Sequence, residues 1–247
     1  MNNNNEKNLA VLIDADNVSA RYIKSILNEI SNHGTPTIKR IYGDWTTPQM
    51  SSWKAVLLSH SITPIQQYSY TVGKNSTDAA LIIDAMDILY GNKVDGFCIV
   101  SSDSDFTRLA SRLRETGMYV LGMGEKKTPQ PFISACEQFK YLEVLGSAED
   151  KKEEASNKAP AIKENNVKSK KSLTAAITAI VDESSGDDGW VNLGEVGSKL
   201  SRRFPDFDTR NYGFKNLSSL VTSLKKFKLE LRKVPNSNNK NNYISTI

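Results

Sequence analysis

The 247-residue chain is 38% hydrophobic and 24% charged, with a formal net charge of +4, the balance of a soluble globular protein. No apolar run approaches the ~20 residues that a membrane helix needs, and the Asn-rich first residues lack the apolar core of a secretory signal, so a cytoplasmic protein with no membrane partner is expected. Two cysteines (Cys98, Cys136) and two histidines (His33, His60) exclude a zinc cluster and a disulfide framework, and any metal here is a hard, oxygen-liganded ion.

Residues 9–13 form an apolar run that reads as a strand and ends in Asp14-Ala15-Asp16-Asn17. A helix follows over about 18–32, then a strand at 38–42 ending in Tyr42-Gly43-Asp44-Trp45. Pro48 opens a helix reaching Ser59. A strand over about 62–68, a loop at 70–76 and a helix from Thr77 to about Tyr90 come next. The run Phe97–Val100 is a second buried strand, stopping at Ser101 and Ser102, with Asp103, Asp105 and a new helix beyond. A strand at 119–122, a short helix near 132–136 and a last strand near 141–144 complete the series. Such β-α alternation predicts a parallel sheet with helices on both faces.

Residues 148–171 are rich in Lys and Glu and almost free of apolar residues, the composition of a flexible linker. From Ser172 a second unit begins: a helix with Leu173, Ala176, Ile177, Ile180 and Val181 on one face, a turn at 186–189, and a short strand at Trp190-Val191. A second helix spans 193–204, and a third places Leu217, Leu220, Val221, Leu224 and Phe227 inward with Lys215, Lys225, Lys226 and Lys228 outward. Strands at 229–234 and 243–244 flank an Asn/Ser-rich tip. Three helices and a hairpin make a winged helix-turn-helix. The expected domains are thus a tail (1–7), an α/β domain (8–147), the linker (148–171) and the winged helix (172–247). Net charge is −1 over 1–147, +2 over 148–171 and +3 over 172–247, so the basic character lies away from the acidic strand ends, as suits a nucleic-acid partner.

Two strands that deliver carboxylates at the same end of a sheet suggest a shared site, since open α/β sheets bind ligands there. The ordinary alternative is helix capping, for which Ser and Asp are preferred. Asp78 opens the long helix and is a third candidate. Its alternative is a first-turn acid favoured by the helix dipole. Asp84 and Asp87 fall about 240° and 180° away from it around the helix and read as solvated or structural.

Leu-Ile-Asp-Ala-Asp-Asn (12–17), Lys-Asn-Ser-Thr-Asp-Ala-Ala-Leu (74–81) and Val-Ser-Ser-Asp-Ser-Asp-Phe (100–106) resemble the three acidic motifs of the NYN domain, the PIN-like nuclease family that includes bacterial LabA/DUF88 proteins. The resemblance covers about residues 7–145. It implies a PIN-like three-layer α/β fold with strands one and four adjacent, gathering Asp14, Asp78, Asp103 and Asp105 in one cleft around Mg²⁺ or Mn²⁺. It implies direct metal ligation by Asp14 and Asp103, direct or water-mediated ligation by Asp78 and Asp105, and an orienting role for Asn17. Asp16 stands where the family varies, and Ser102 where many members have Gly. Lys74 and Ser76 are candidate substrate contacts, Lys74 being equally well an exposed loop lysine. Trp45 either stacks on a base or packs.

Residues 172–246, notably Trp190-Val191 and Tyr212–Leu220, resemble the OST-HTH/LOTUS domain, which implies RNA binding or, in some members, protein binding. The leading expectation is therefore a metal-dependent ribonuclease of single-stranded RNA, with a protein partner at the second domain and a homo-oligomer as further expectations. The alternatives are a non-catalytic RNA-associated adaptor and a phosphatase of the haloacid dehalogenase type using Asp14 as nucleophile.

Overall fold

Strands whose interior is a continuous apolar run must be covered on both faces, and Asn8–Asp14 (β1), Gly96–Val100 (β4) and Tyr119–Gly124 (β5) are buried almost throughout. The computed structural model describes residues 6–68, 76–146, 170–186, 188–233 and 240–247. The chain divides into two compact units, one within residues 1–163 and one within 164–247.

In the first unit Thr35–Gly43 (β2), Thr63–Gln66 (β3) and Gln138–Tyr141 (β6) complete a six-stranded sheet of order β3-β2-β1-β4-β5-β6, parallel throughout. The edge strands β3 and β6 are partly exposed. Helices Ile23–Ile30 (α1), Ser51–Leu57 (α2), Ser76–Tyr90 (α3), Thr107–Glu115 (α4) and Gln130–Ala135 (α5) connect them. This is the expected PIN-like α/β architecture, with β1 and β4 adjacent.

The strand order places the site. The chain runs outward from β1 through β2 to β3, then returns along α3 to β4 on the other side of β1. The carboxyl ends of β1 and β4 therefore flank the point where the order reverses, the crevice in which open sheets bind ligands. α3 is the return segment, so its first turn arrives at that end.

The boundaries differ from expectation in particular places. The helix expected over 18–32 starts as a 3₁₀ turn at Ala20–Tyr22 before α1. The last strand is Gln138–Tyr141, pairing with Leu121–Gly124 of β5, instead of 141–144. Residues 1–5 of the expected tail, 70–75 of the expected loop and 148–169 of the expected linker lie outside the described residues, as do 69 and 147. Lys7 is tied to the sheet, its carbonyl accepting the Thr35 N–H at 2.8 Å.

The second unit has helices Lys170–Ser184 (α6), Leu193–Arg203 (α7) and Leu217–Ser223 (α8) and strands Val191–Asn192 (β7), Phe227–Lys233 (β8) and Lys240–Thr246 (β9). The strands form an antiparallel sheet of order β7-β9-β8. Leu173, Ile177, Val196, Leu200, Leu220, Val221, Phe227 and Ile244 share one core. Asn192 and Asn216 cap α7 and α8, accepting the N–H of Gly194 at 2.8 Å and of Ser219 at 2.9 Å. The third helix is shorter than its stripe implied. It ends at Ser223, Lys225 turns the backbone left-handed (φ 54°), and Phe227 opens β8 opposite Thr246. Residue 234 of the expected strand and residues 235–239 of the expected tip lie outside the described residues.

Gly124, at the carboxyl end of β5, links packing to the site. A Cβ there would lie 2.5 Å from the Ser101 carbonyl oxygen and 2.5 Å from the Thr128 hydroxyl. Backbone that close cannot yield cheaply. Gly124→Ala is therefore expected to lose about 1–3 kcal/mol of stability, read by urea denaturation, and to shift the amide resonances of 101–105 more than those of β2.

Candidate metal centre

β1 and β4 pair in register up to Ile13 and Val100, so the next residues of the two strands, Asp14 and Ser101, emerge side by side. The Asp14 carboxylate is fully buried. One oxygen accepts the Ser101 hydroxyl at 2.7 Å and the Asn17 side-chain amide at 2.8 Å. The other accepts the N–H groups of Asp16 at 3.1 Å and Asn17 at 3.3 Å. Burial still raises the Asp14 pKa above the usual carboxylate range, against the lowering effect of Ser101 and Asn17.

Ser101 also faces the other way, its oxygen accepting the Asp103 N–H at 3.1 Å. Asp103 in turn caps the turn Ser104–Phe106 that leads into α4, accepting the Asp105 N–H at 2.9 Å. Asp78 arrives from the first turn of α3. Asp78, Asp103 and Asp105 each bring one carboxylate oxygen within 4.8 Å of the others. The Asp78 pKa is raised from 3.8 to about 6, first by burial and then by the charges of Asp14, Asp103, Asp105 and Asp16.

Of the predicted site residues, Asp78, Asp103 and Asp105 are thus gathered into one cluster. Asp14 stands beside it, near enough to act on Asp78, with its own oxygens taken by hydrogen bonds. Asn17 holds Asp14 through its side-chain amide. Ser76 is the first residue of α3, and its hydroxyl oxygen is hidden from solvent without a hydrogen-bond partner among the described residues. Lys74 lies outside the described residues. Trp45 packs against the core and donates its indole N–H to the Ile65 carbonyl at 2.9 Å, while its backbone N–H donates to the Gln66 side chain at 2.9 Å. Asp84, set apart from Asp78 by helical angle, takes the Arg40 guanidinium and the Tyr42 hydroxyl.

Two contributors escaped the sequence reading. Ser101 joins Asp14 to Asp103, and the Ser102 hydroxyl accepts the Glu125 N–H at 2.9 Å, tying the loop after β5 to the end of β4. The only signal was a polar pair directly after an apolar strand. The donor set suits a hard cation: three carboxylates, mutually repelling in a partly buried cleft, are the ligands Mg²⁺ or Mn²⁺ takes. Thiols play no part, since Cys98 and Cys136 are buried and burial holds both protonated, Cys136 pushed up to about 12.

The family model of the NYN domain matches residues 8–143, more than half of the chain. The chain belongs to the NYN domain family. That family lies within the PIN-like nucleases, which generally use divalent metal ions. Residues 168–238 match the OST-HTH/LOTUS domain, so the NYN domain is joined to a module associated with RNA. No curated protein matches the chain. A crystal structure of a protein of unknown function from Vibrio parahaemolyticus is 19% identical, with a TM-score of 0.47, and spans 56% of this chain and 94% of its own. A solution structure of an uncharacterized protein from Nitrosomonas europaea is 36% identical, with a TM-score of 0.30, and spans 38% of this chain and 87% of its own. Among the described residues no helix is long and apolar enough to cross a membrane.

Two outcomes are expected of the NYN domain. Ser101→Ala removes a hydrogen bond that favours the charged form of Asp14, so it should cost about 1–3 kcal/mol at neutral pH, and less at acid pH where Asp14 is protonated; denaturation curves across pH measure both. Asp78 should titrate near 6 in ion-free protein. Between 3.8 and about 6 the folded chain keeps a proton the unfolded chain has lost, so this group's contribution to stability declines as pH rises through that window. Asp103→Asn removes a like charge and should lower the Asp78 midpoint, read from its carboxyl ¹³C shift. An unchanged midpoint would show the two groups to be uncoupled.

Proposed function

We propose that the chain is a divalent-metal-dependent ribonuclease whose NYN domain hydrolyses single-stranded RNA delivered by the OST-HTH/LOTUS domain. One observation carries the reading: three carboxylates from two separate elements, α3 and the β4–α4 junction, converge at the reversal of strand order.

Asp78, Asp103 and Asp105 would hold Mg²⁺ or Mn²⁺. When bound, such an ion lowers the pKa of its water and neutralises charge on the phosphoryl oxygens. Asp14 stands beside them. Its hydrogen-bonded oxygens make it a fixed negative charge and an anchor for the Asp14–Asn17 turn, and its expected role as a direct ligand stays part of the proposal. Asp105 is exposed and Asp103 half-buried, so the open side of the cluster faces an incoming strand while its inner side rests on Ser101 and Asp14. Ser76, whose buried hydroxyl has no hydrogen-bond partner among the described residues, would donate to a phosphate oxygen that reaches the start of α3. Lys74, outside the described residues, would add a positive charge for that phosphate, and Trp45, packed at the end of β2, would shape the edge of the crevice.

In the second unit Lys215, Lys225, Lys226 and Lys228 are exposed, a surface that gives sequence-independent, salt-sensitive affinity for phosphates. A protein partner at this domain, self-association and a cytoplasmic setting are compatible parts of the proposal.

The test is cleavage of single-stranded RNA by the full chain with Mn²⁺ or Mg²⁺. Activity should vanish in EDTA. Asp103→Asn or Asp78→Asn should lower kcat/KM by at least the ~100-fold that loss of a metal-orienting partner costs. Equal residual activity in wild type and Asp103→Asn would instead support an RNA-associated adaptor.

A further inference from the structure

The turn that carries Asp14 also walls a second cavity, of about 400 Å³, lined by residues 15–20 together with Gln49, Met50, Ser52 and Trp53. That volume falls in the range of small-ligand sites. Met50 and Trp53 are almost wholly buried, 3% and 2% exposed. The Trp53 indole N–H already donates to the Val18 carbonyl at 3.1 Å, so its ring is fixed at the buried floor of the cavity. Gln49 and Ser52 are exposed, and among the described residues their side chains have no hydrogen-bond partner. Asp16 is the single charged residue in the lining. Its N–H serves Asp14 while its carboxylate is exposed, and it is among the charges that act on Asp78.

These features select an occupant. A phosphate is repelled, because the lining holds one negative charge and no positive one. A purely apolar group would leave the Gln49 amide, the Ser52 hydroxyl and the Asp16 carboxylate without partners. A flat, neutral heterocycle with a donor edge satisfies all three. We infer that this cavity receives a nucleobase of the RNA strand crossing the acidic cluster, with Asp16 accepting its amino edge and Gln49 and Ser52 meeting its remaining polar atoms. Guanine suits it best, since its N1–H and N2 amine offer two adjacent donors to a carboxylate, which is acceptor-only. Uracil offers that group a single donor, N3–H, flanked by two carbonyl oxygens that repel a carboxylate, and is disfavoured. Single-stranded RNA is read in this way, by splayed bases hydrogen-bonded on their Watson–Crick edges. The inference rests on the nuclease reading for its substrate but not for its test.

The experiment titrates the ¹⁵N-labelled full chain in EDTA with GMP and, separately, UMP. Both carry the same phosphate, so their difference isolates the base. Shifts should concentrate at residues 15–20 and 49–53, with GMP bound roughly tenfold more tightly than UMP, within the discrimination that a bidentate base contact gives. Asp16→Asn should abolish the preference, and Gln49→Ala should weaken both ligands. Shifts elsewhere, equal affinities, or a preference unchanged in Asp16→Asn would overturn the inference. Cleavage without binding in this cavity defeats the base site alone. Binding with the expected preference, but no cleavage with Mg²⁺ or Mn²⁺, supports the base site and defeats the nuclease reading.

Discussion

One buried hydroxyl joins the two central strands where the site is built. Ser101 donates to Asp14 at the end of β1 and accepts from the Asp103 backbone at the end of β4. Both neighbours are acidic, and a single side chain sets their spacing. The strand pairing makes this inevitable: with Ile13 opposite Val100, the next two residues are adjacent whatever they are. Placing Asp and Ser there converts a register into a site. The return of the chain along α3 adds Asp78 from the same end of the sheet.

Gathering carboxylates works against folding, and the structure handles its four in two ways. Asp14 is fully buried and surrounded by donors from Ser101, Asn17 and the Asp16 backbone. Such a charge is tolerable because hydrogen bonds replace much of its lost hydration. Asp78, Asp103 and Asp105 are left partly open and close together, where the neighbouring charges disfavour the charged form of Asp78. Asp78, pushed up to about 6 first by burial and then by those charges, carries part of that unrelieved repulsion. A cation relieves it directly. The same arrangement that costs stability without an ion therefore favours binding one.

How much of this the sequence discloses depends on the range of the interaction. The apolar runs of β1 and β4 and the acidic residues directly after them are local patterns, and all were readable. So was the first-turn position of Asp78. Helical angle was enough to separate Asp84 from it, but not to find Arg40 and Tyr42, which come from a strand more than forty residues away. The Ser101 bridge was hidden for the same reason, since one partner is 87 residues distant. In the second unit the period itself misled. Leu217, Leu220, Val221, Leu224 and Phe227 keep helical spacing, yet the left-handed backbone at Lys225 stops the helix and sends Phe227 into β8. Periodicity reports which side chains are buried, and a strand entering the same core buries them equally well.

The distribution of charge supplies the last constraint. Residues 1–147 carry a net −1, while +2 and +3 lie in 148–171 and 172–247. An acidic cleft in a nearly neutral domain has little long-range attraction for a polyanion, and three carboxylates without an ion repel it at close range. A chain that works on RNA as proposed therefore needs its affinity from elsewhere in the molecule. Exposed lysines of the OST-HTH/LOTUS unit can supply it without intruding on the acidic cluster, because a covalent tether turns the second encounter into an intramolecular one with an effective concentration set by linker length. The cleft is then free to be built for binding a cation and, beside it, an uncharged base, neither of which a basic active site would favour.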